Sequence, residues 1–254
     1  MSHLRESGLA LAEWTLAALL GVLILAAALA WLQACLQLAL LQRMPLQMAE
    51  EAGWLLQRLS RAAMLAGQGG VHPLASGDAR LAAWPVGDGV GPGTPASDQL
   101  LLRRRLAADT LDCEGTRVTA GDELVERYFL RSDSSAPGLV LACDAGSCAA
   151  DGCHGLGDAG APLQSDIDSF QVLYGMAAEP GQVIRYVDAT GWRAQSPPPH
   201  LASLRIGLLQ HSREAAARVR RWPLPADWLG LTLTAMPGHA ARSAWQLTLA
   251  VPHG

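Results

Sequence analysis

The chain opens on a stretch with no polar pattern. From Trp14 to Leu32 there are 19 residues without a charge, and only Gln33 and Gln37 interrupt the apolar run that continues to Leu41. As a helix this stretch spans roughly 28 Å, close to the ~30 Å hydrocarbon thickness of a bilayer. It is apolar on every side, so it needs lipid or other helices all round it. From Leu46 onward the pattern becomes amphipathic. Ala49, Ala52, Leu55, Leu56, Leu59, Ala63 and Met64 recur at intervals of three and four, while Glu50, Glu51, Arg58 and Arg61 fall elsewhere. This predicts a helix with one face against a globular domain, ended by Gly67-Gln68-Gly69-Gly70. Pro45 is expected to kink it, because proline removes a backbone donor and crowds the preceding turn. Unbroken helix from Leu9 to Ala66 would be roughly 87 Å long.

Beyond the helix the period falls to two. Residues 67 to about 97 are rich in Gly, Pro, Ala and Asp and read as a long loop. Strand-like runs follow at Gln99–Leu106, Leu124–Leu130, Gly138–Cys143, Ile167–Tyr174, Gln182–Val187, Leu201–Gln210, Leu229–Ala235 and Trp245–Val251. Alternation is plainest in Trp245-Gln246-Leu247-Thr248-Leu249-Ala250-Val251, as a strand with one wet face requires. Ser212 to Arg221 fits a helix or a solvated strand, and Pro197-Pro198-Pro199 is a stiff link. The expected fold is α+β: a long N-terminal helix packed on an antiparallel sheet. Its divisions are an apolar helical half over 9–41, an amphipathic half over 42–66 and a β-rich domain over 67–254.

One residue does not fit a plain membrane anchor. Glu13 adjoins the apolar run, and no basic residue lies between Arg5 and Arg43. A carboxylate within such a segment costs about 2.5 to 3.5 kcal/mol on insertion scales, so either a partner from outside this helix neutralises it or it sits near the headgroups. A secretory signal would carry a shorter apolar stretch and a small-residue cleavage site. The surrounding residues, Arg5-Glu6-Ser7-Gly8-Leu9-Ala10-Leu11-Ala12-Glu13-Trp14, resemble the type III signal of type IV prepilins. The resemblance implies a leader over 1–8, cleavage by a prepilin peptidase between Gly8 and Leu9, and N-methylation of Leu9. Glu13 would then be the fifth mature residue, placed to meet the α-amino group of a neighbouring subunit. The family usually has Phe where this chain has Leu9. Arg5 and His3 on the short flank suit a cytoplasmic leader, with the long domain in the periplasm.

Later motifs narrow the resemblance. Gln57-Arg58-Leu59-Ser60-Arg61-Ala62-Ala63-Met64-Leu65-Ala66-Gly67 resembles the end of the long helix in PilW-type minor pilins. So do the strand runs Gly138 to Cys143, Phe170 to Gly175 and Leu204 to Leu209. What this implies is a structural subunit that helps prime type IV pilus assembly and sits at or near the tip. Its implied partners are other minor pilins, the major pilin, the prepilin peptidase and a PilY-type tip adhesin, first in the inner membrane and then in the pilus. Twitching motility, adhesion and DNA uptake are downstream functions of such filaments. A minor pseudopilin of type II secretion, of the J type, is the nearest alternative. A membrane-tethered periplasmic enzyme or binding protein is the alternative from another class.

Composition adds limits. The chain has 254 residues, 50% of them hydrophobic, and a net charge of −4, which gives no basic footprint for nucleic acid. Arg103, Arg104 and Arg105 read as a solvated face. Of the five cysteines, Cys35 lies in the apolar segment as a small hydrophobe. Cys113, Cys143, Cys148 and Cys153 are disulfide candidates with three connectivities open. Cys113 with Cys143 and Cys148 with Cys153 is the preferred set, the first linking two strand regions and the second closing a small loop. No catalytic motif is present: the chain lacks Gly-x-Ser-x-Gly, His-Glu-x-x-His, a phosphate loop and a dinucleotide fingerprint. Cys148-x4-Cys153-His154 is too wide for haem attachment, and Asp144, Asp151 and Asp158 do not have EF-hand spacing. The expectation is no enzyme, no cofactor and no metal.

Overall fold

The computed structural model describes residues 3–73, 97–134, 138–149, 152–177, 183–196, 200–215, 227–229, 231–232 and 240–252. In chain order the elements are α1 (His3–Gly70), β1 (Val71–Pro73), β2 (Leu100–Arg105), β3 (Thr110–Leu111), β4 (Arg117–Val118) and β5 (Glu123–Ser132). Next come β6 (Leu139–Ala149), β7 (Gly152–His154), β8 (Ala161–Ser165), β9 (Ile167–Ala177), β10 (Val183–Val187) and α2 (Ala189–Arg193). The chain closes with β11 (His200–Ala215), β12 (Asp227–Trp228), β13 (Leu231–Thr232) and β14 (Ala240–Ala250). Two compact units result, Met1–Gln47 and Met48–Gly254.

The first unit is helix alone. Its apolar side chains are bare on every side: Trp14, Ile24 and Trp31 are 79%, 69% and 75% exposed, which is the surface a lipid or helix environment must cover. Backbone angles stay helical through Pro45, and the non-helical residue lies instead at Gly67, with φ 63°. Glycine tolerates that left-handed conformation because it has no Cβ to clash. The helical assignment resumes past Gly67 to Gly70, beyond the expected end at Ala66.

In the second unit, the helix buries one stripe. Met48, Ala52, Leu55, Leu59 and Ala63 are buried, spaced so that they fall on one side of a 3.6-residue turn. Leu55, Leu59 and Ala63 join a core with Leu100, Tyr128, Leu130, Leu141, Phe170, Val172, Leu204 and Ile206. Met64 and Leu65 stay outside it, half or more exposed. Glu51 supplies a polar tie at the rim, where one carboxylate oxygen accepts from Gln164 Nε2 at 2.7 Å and from Gln210 Nε2 at 2.8 Å.

Among the described residues the single expected sheet is two larger sheets, with β3–β4 and β12–β13 as separate two-stranded pairs. A six-stranded antiparallel sheet runs β1-β2-β5-β6-β7 with β8 also on β6, and a four-stranded sheet runs β10-β9-β11-β14. Strand spacing in sequence cannot divide strands between sheets, because the pattern records faces and not neighbours. The run expected at Leu229–Ala235 is instead the small β12–β13 pair, split at Leu229, a non-glycine residue with φ 55°. Residues 233–235 lie outside the described residues. The ambiguous Ser212–Arg221 segment is strand as far as Ala215, and 216–221 lie outside the described residues. Within the expected long loop, Val71–Pro73 is strand paired to β2, and 74–96 lie outside the described residues, as do Pro197-Pro198-Pro199.

The edge of β9 is finished by two residues of irregular chain. Asp98 N–H donates to Phe170 O at 2.8 Å, and Phe170 N–H donates to Ser97 Oγ at 3.1 Å. Val172 N–H donates to an Asp98 carboxylate oxygen at 2.8 Å. Ser97 and Asp98 thus satisfy peptide groups that would otherwise lack partners. Burial lifts the Asp98 carboxyl to about 6, the Val172 hydrogen bond opposes the shift, and the Asp188 charge adds to it. A carboxyl raised in the folded state favours folding while protonated, and that advantage is lost as pH rises through the folded value. Stability is therefore expected to fall between about pH 4 and pH 7, by ~2–3 kcal/mol from this group. Asp98→Asn keeps an acceptor for Val172 and should flatten that slope in urea titrations. A slope unchanged in the variant would assign the pH dependence elsewhere.

Candidate functional site: a carboxylate on the apolar helix and a stapled domain

Gly8 and Leu9 lie within α1, and the Leu9 side chain is outside the described residues. Glu13 is exposed and stands at the start of a 27-residue span, Glu13–Ala39, that is long and apolar enough to cross a membrane. Nothing basic between Arg5 and Arg43 is available on this helix to neutralise it. Residues three and four along a helix are the ones that meet side by side; around Glu13 those are Leu9, Ala10, Leu16 and Ala17. An ionised carboxylate among apolar neighbours is costly in a low-dielectric bundle, and a cation from another molecule is one way to compensate it. Cys35 is exposed on the same helix with its thiol free.

The cysteines of the domain are brought together by β-pairing. Cys113 follows the β3 strand of the β3–β4 hairpin, Cys143 lies in the middle of β6, and the two are disulfide-bonded with Cα atoms 6.1 Å apart. Cys148 is also disulfide-bonded and stands opposite Cys153 in the β6–β7 register; the side chain of Cys153 lies outside the described residues. The β3–β4 hairpin escaped the sequence reading because strands of two residues carry no measurable alternation. Its turn has a recognisable cause in hindsight: Asp112 Oδ1 accepts from the backbone N–H groups of Glu114 and Thr116, an Asx-type turn closed at Gly115 with φ 86°.

The staple carries acids with it. Glu114, Asp144 and Asp158 bring carboxylate oxygens within 4.8 Å of one another. Asp144 and Asp158 were among the acids considered above and set aside for their spacing, Asp151 lies outside the described residues, and Glu114 was missed because it is distant in sequence. Burial raises the Asp144 and Glu114 carboxyls, with the neighbouring acids adding to the shift. Both Asp144 oxygens accept from Gly157 N–H, at 3.1 and 3.2 Å, and one faces Arg127 Nη1 at 3.6 Å. Asp144 is therefore already occupied as a structural hub.

A second charged cluster joins β9, β11 and β14. Asp168 takes Arg242 Nε at 2.7 Å and His211 Nδ1 at 3.0 Å, and Asp166 Oδ1 lies 3.7 Å from His211 Nε2. Burial alone would raise Asp168, but His211 and Arg242 outweigh it and hold its carboxyl below the ordinary value. Arg103 pairs with Glu123, and Arg104 is half-buried rather than solvated.

An N-terminal apolar helix followed by antiparallel β-sheets is an α+β architecture. Residues 127–252 match the family model described as "Type IV Pilus-assembly protein W". Over that C-terminal half the chain is similar to the PilW family. Among solved structures, a type IV-like pilin from Thermus thermophilus aligns with a TM-score of 0.45 at 16% identity, over 81% of this chain and 97% of that one. No curated protein matches. The matched family is one of type IV pilus assembly, and the N-terminal helix of this chain is long and apolar enough to cross a membrane.

Proposed function

We propose that the chain is a minor pilin that helps prime type IV pilus assembly and sits at or near the pilus tip, beside other minor pilins and the major pilin. The observation that carries this reading is Glu13, an exposed carboxylate at the head of an apolar span that itself carries no cation. Hydrolysis of the Gly8–Leu9 peptide bond by a prepilin peptidase would free an α-amino group on Leu9, the site of N-methylation. The amine of one subunit then meets Glu13 of the next inside a helix bundle, where low dielectric strengthens the pair. Docking in one register follows, because any other leaves both charges uncompensated. Before assembly the domain faces the periplasm, where its cysteines can oxidise. The role is structural rather than catalytic.

Co-expression with an active prepilin peptidase, followed by mass analysis of the N-terminus, tests the first step. The expected product begins at Leu9; a chain that keeps residues 1–8 overturns the reading. Glu13→Ala is expected to lower the amount of chain recovered in filaments at least about tenfold, the equivalent of ~1.4 kcal/mol or more in docking. Its domain should unfold at the same urea concentration as the parent. Wild-type recovery of that variant would remove the carboxylate from the mechanism.

A further inference from the structure

Among the described residues four strands or strand pairs end the two larger sheets, and three of those edges are defended. In the six-stranded sheet one edge is β1, only three residues long and closed by Pro73. Its other edge is shared by β7, also three residues, and β8, which carries Pro162 and an irregular register against β6. In the four-stranded sheet β10 is five residues long, exposes Arg185 and shifts register between Val183 and Arg185. Shortness, proline, bulges and charge are the devices that keep sheet edges from pairing with other chains. The fourth edge, β14, has none of them from Ser243 to Ala250. It is eleven residues long, and its register against β11 runs unshifted from Arg242 to Ala250. Among the described residues no strand pairs with its far side.

The direction of its peptide groups can be read from one hydrogen bond. Val251 N–H donates to Ala202 O on β11 at 3.0 Å. Main-chain groups alternate sides along an antiparallel strand, so Leu249, Leu247, Trp245 and Ser243 also point their peptide groups at β11. Ala250, Thr248, Gln246, Ala244 and Arg242 point theirs away, in a row spaced for one extended strand. The side chains agree with a receptive edge. Gln246, Thr248 and Ala250 are exposed and uncharged, while Trp245 and Leu247 are half-buried on the core face. Arg242, the only charge on the strand, is held by Asp168.

We propose that β14 is a docking edge, filled by an extended, uncharged segment of another subunit of the same pilus assembly. The occupant is a strand because only a strand matches alternating donors and acceptors in a row. Apolar residues at alternate positions of that strand would cover the open flanks of Trp245 and Leu247. That the donor is another pilus subunit rests on the pilin reading above, since type IV pilus assembly implies contact with other pilus components.

The test is residue-resolved hydrogen exchange on the full chain, in detergent alone and within its purified pilus assembly complex. Alone, the amides of Ala244, Gln246 and Thr248 should exchange fast, and those of Trp245, Leu247 and Leu249 slowly. In the complex, the first set should slow by about 100-fold or more while the second changes little. Gln246→Pro removes an outward N–H and no bond to β11, so it should leave stability unchanged and lower retention in the complex about tenfold or more. Thr248→Lys, which leaves the backbone intact, should do the same. If the chain is in the complex and the outward amides still exchange fast, the docking edge is wrong and the pilin reading stands. Protection that appears in the isolated chain as its concentration rises would assign the edge to a second copy and overturn the proposal. A chain absent from the complex altogether defeats both.

Discussion

Asp144→Ala is expected to cost about 3–5 kcal/mol of domain stability, more than removing any single surface charge. Arg127 and Asp144 face each other in the β5–β6 register, and both side chains are 0% exposed. Arg127 also donates from Nε to Gln99 Oε1 at 2.9 Å. The lid over this face is the connection after β7, where Leu156 packs with Cys148 against Leu101 and Val125. Burial pulls the Arg127 guanidinium below its ordinary value and lifts the Asp144 carboxyl, and each partner's charge opposes the other's shift. Truncating Asp144 therefore leaves a buried cation without its carboxylate and takes the acceptor from Gly157 N–H as well. Replacing the pair together by Arg127→Met with Asp144→Leu removes both charges, and the double variant should lie within about 2 kcal/mol of the parent. Urea unfolding of the parent, both single variants and the double variant completes the cycle. A loss under 1 kcal/mol for Asp144→Ala would show that water or Glu114 already compensates the guanidinium.

That pair also marks where sequence reading stops. Arg127 stands inside the expected strand Leu124–Leu130, but alternation alone would not select a charged residue as fully buried. Asp144 fell just past the expected end of its strand, because Asp and Gly are poor strand formers. In the folded chain β6 continues through Asp144, Gly146 and Ser147 to Ala149. Gly146 is needed there because a Cβ would run into the His154 carbonyl and the Leu156 side chain. Such cross-strand reasons are invisible until the strands are paired. The helix was legible for the opposite cause. Its signal is a local period, so Ala52, Leu55, Leu59 and Ala63 could be assigned to the core face from spacing alone, and they are buried. Division into two sheets, the β3–β4 hairpin and the plugging of β9 by Ser97 and Asp98 are set by long-range contacts. Glu13 was legible for a third reason: an acid at the head of a charge-free run is conspicuous whatever the fold.

Removing the Cys113–Cys143 bridge, as Cys113→Ala with Cys143→Ala, is expected to lower stability by about 3–4 kcal/mol. The cysteines are 30 residues apart in sequence, and closing a loop of that length in the unfolded chain accounts for about 3–4 kcal/mol on entropic grounds. The loop is not passive in the folded state. Cys113 holds the β3–β4 hairpin against β6, where its neighbour Glu114 accepts from Ala145 N–H at 3.2 Å. Its own carbonyl accepts from Arg58 Nη2 of α1 at 2.9 Å. The bridge thus links helix, hairpin and sheet at one point. Both cysteines are buried, Cys113 at 7% exposure and Cys143 at 0%, so reductant cannot reach the sulfurs without local opening. Two measurements separate these effects. In urea titrations, the double variant should unfold at lower denaturant than the oxidised parent by an amount equal to the stated loss. In native buffer with a thiol reductant, the parent should keep the bridge for as long as the domain stays folded. A midpoint shift worth under 1 kcal/mol would mean that the hairpin is held by Arg58 and Glu114 without the covalent link. Rapid reduction in native buffer would mean that the hairpin opens independently of the sheet.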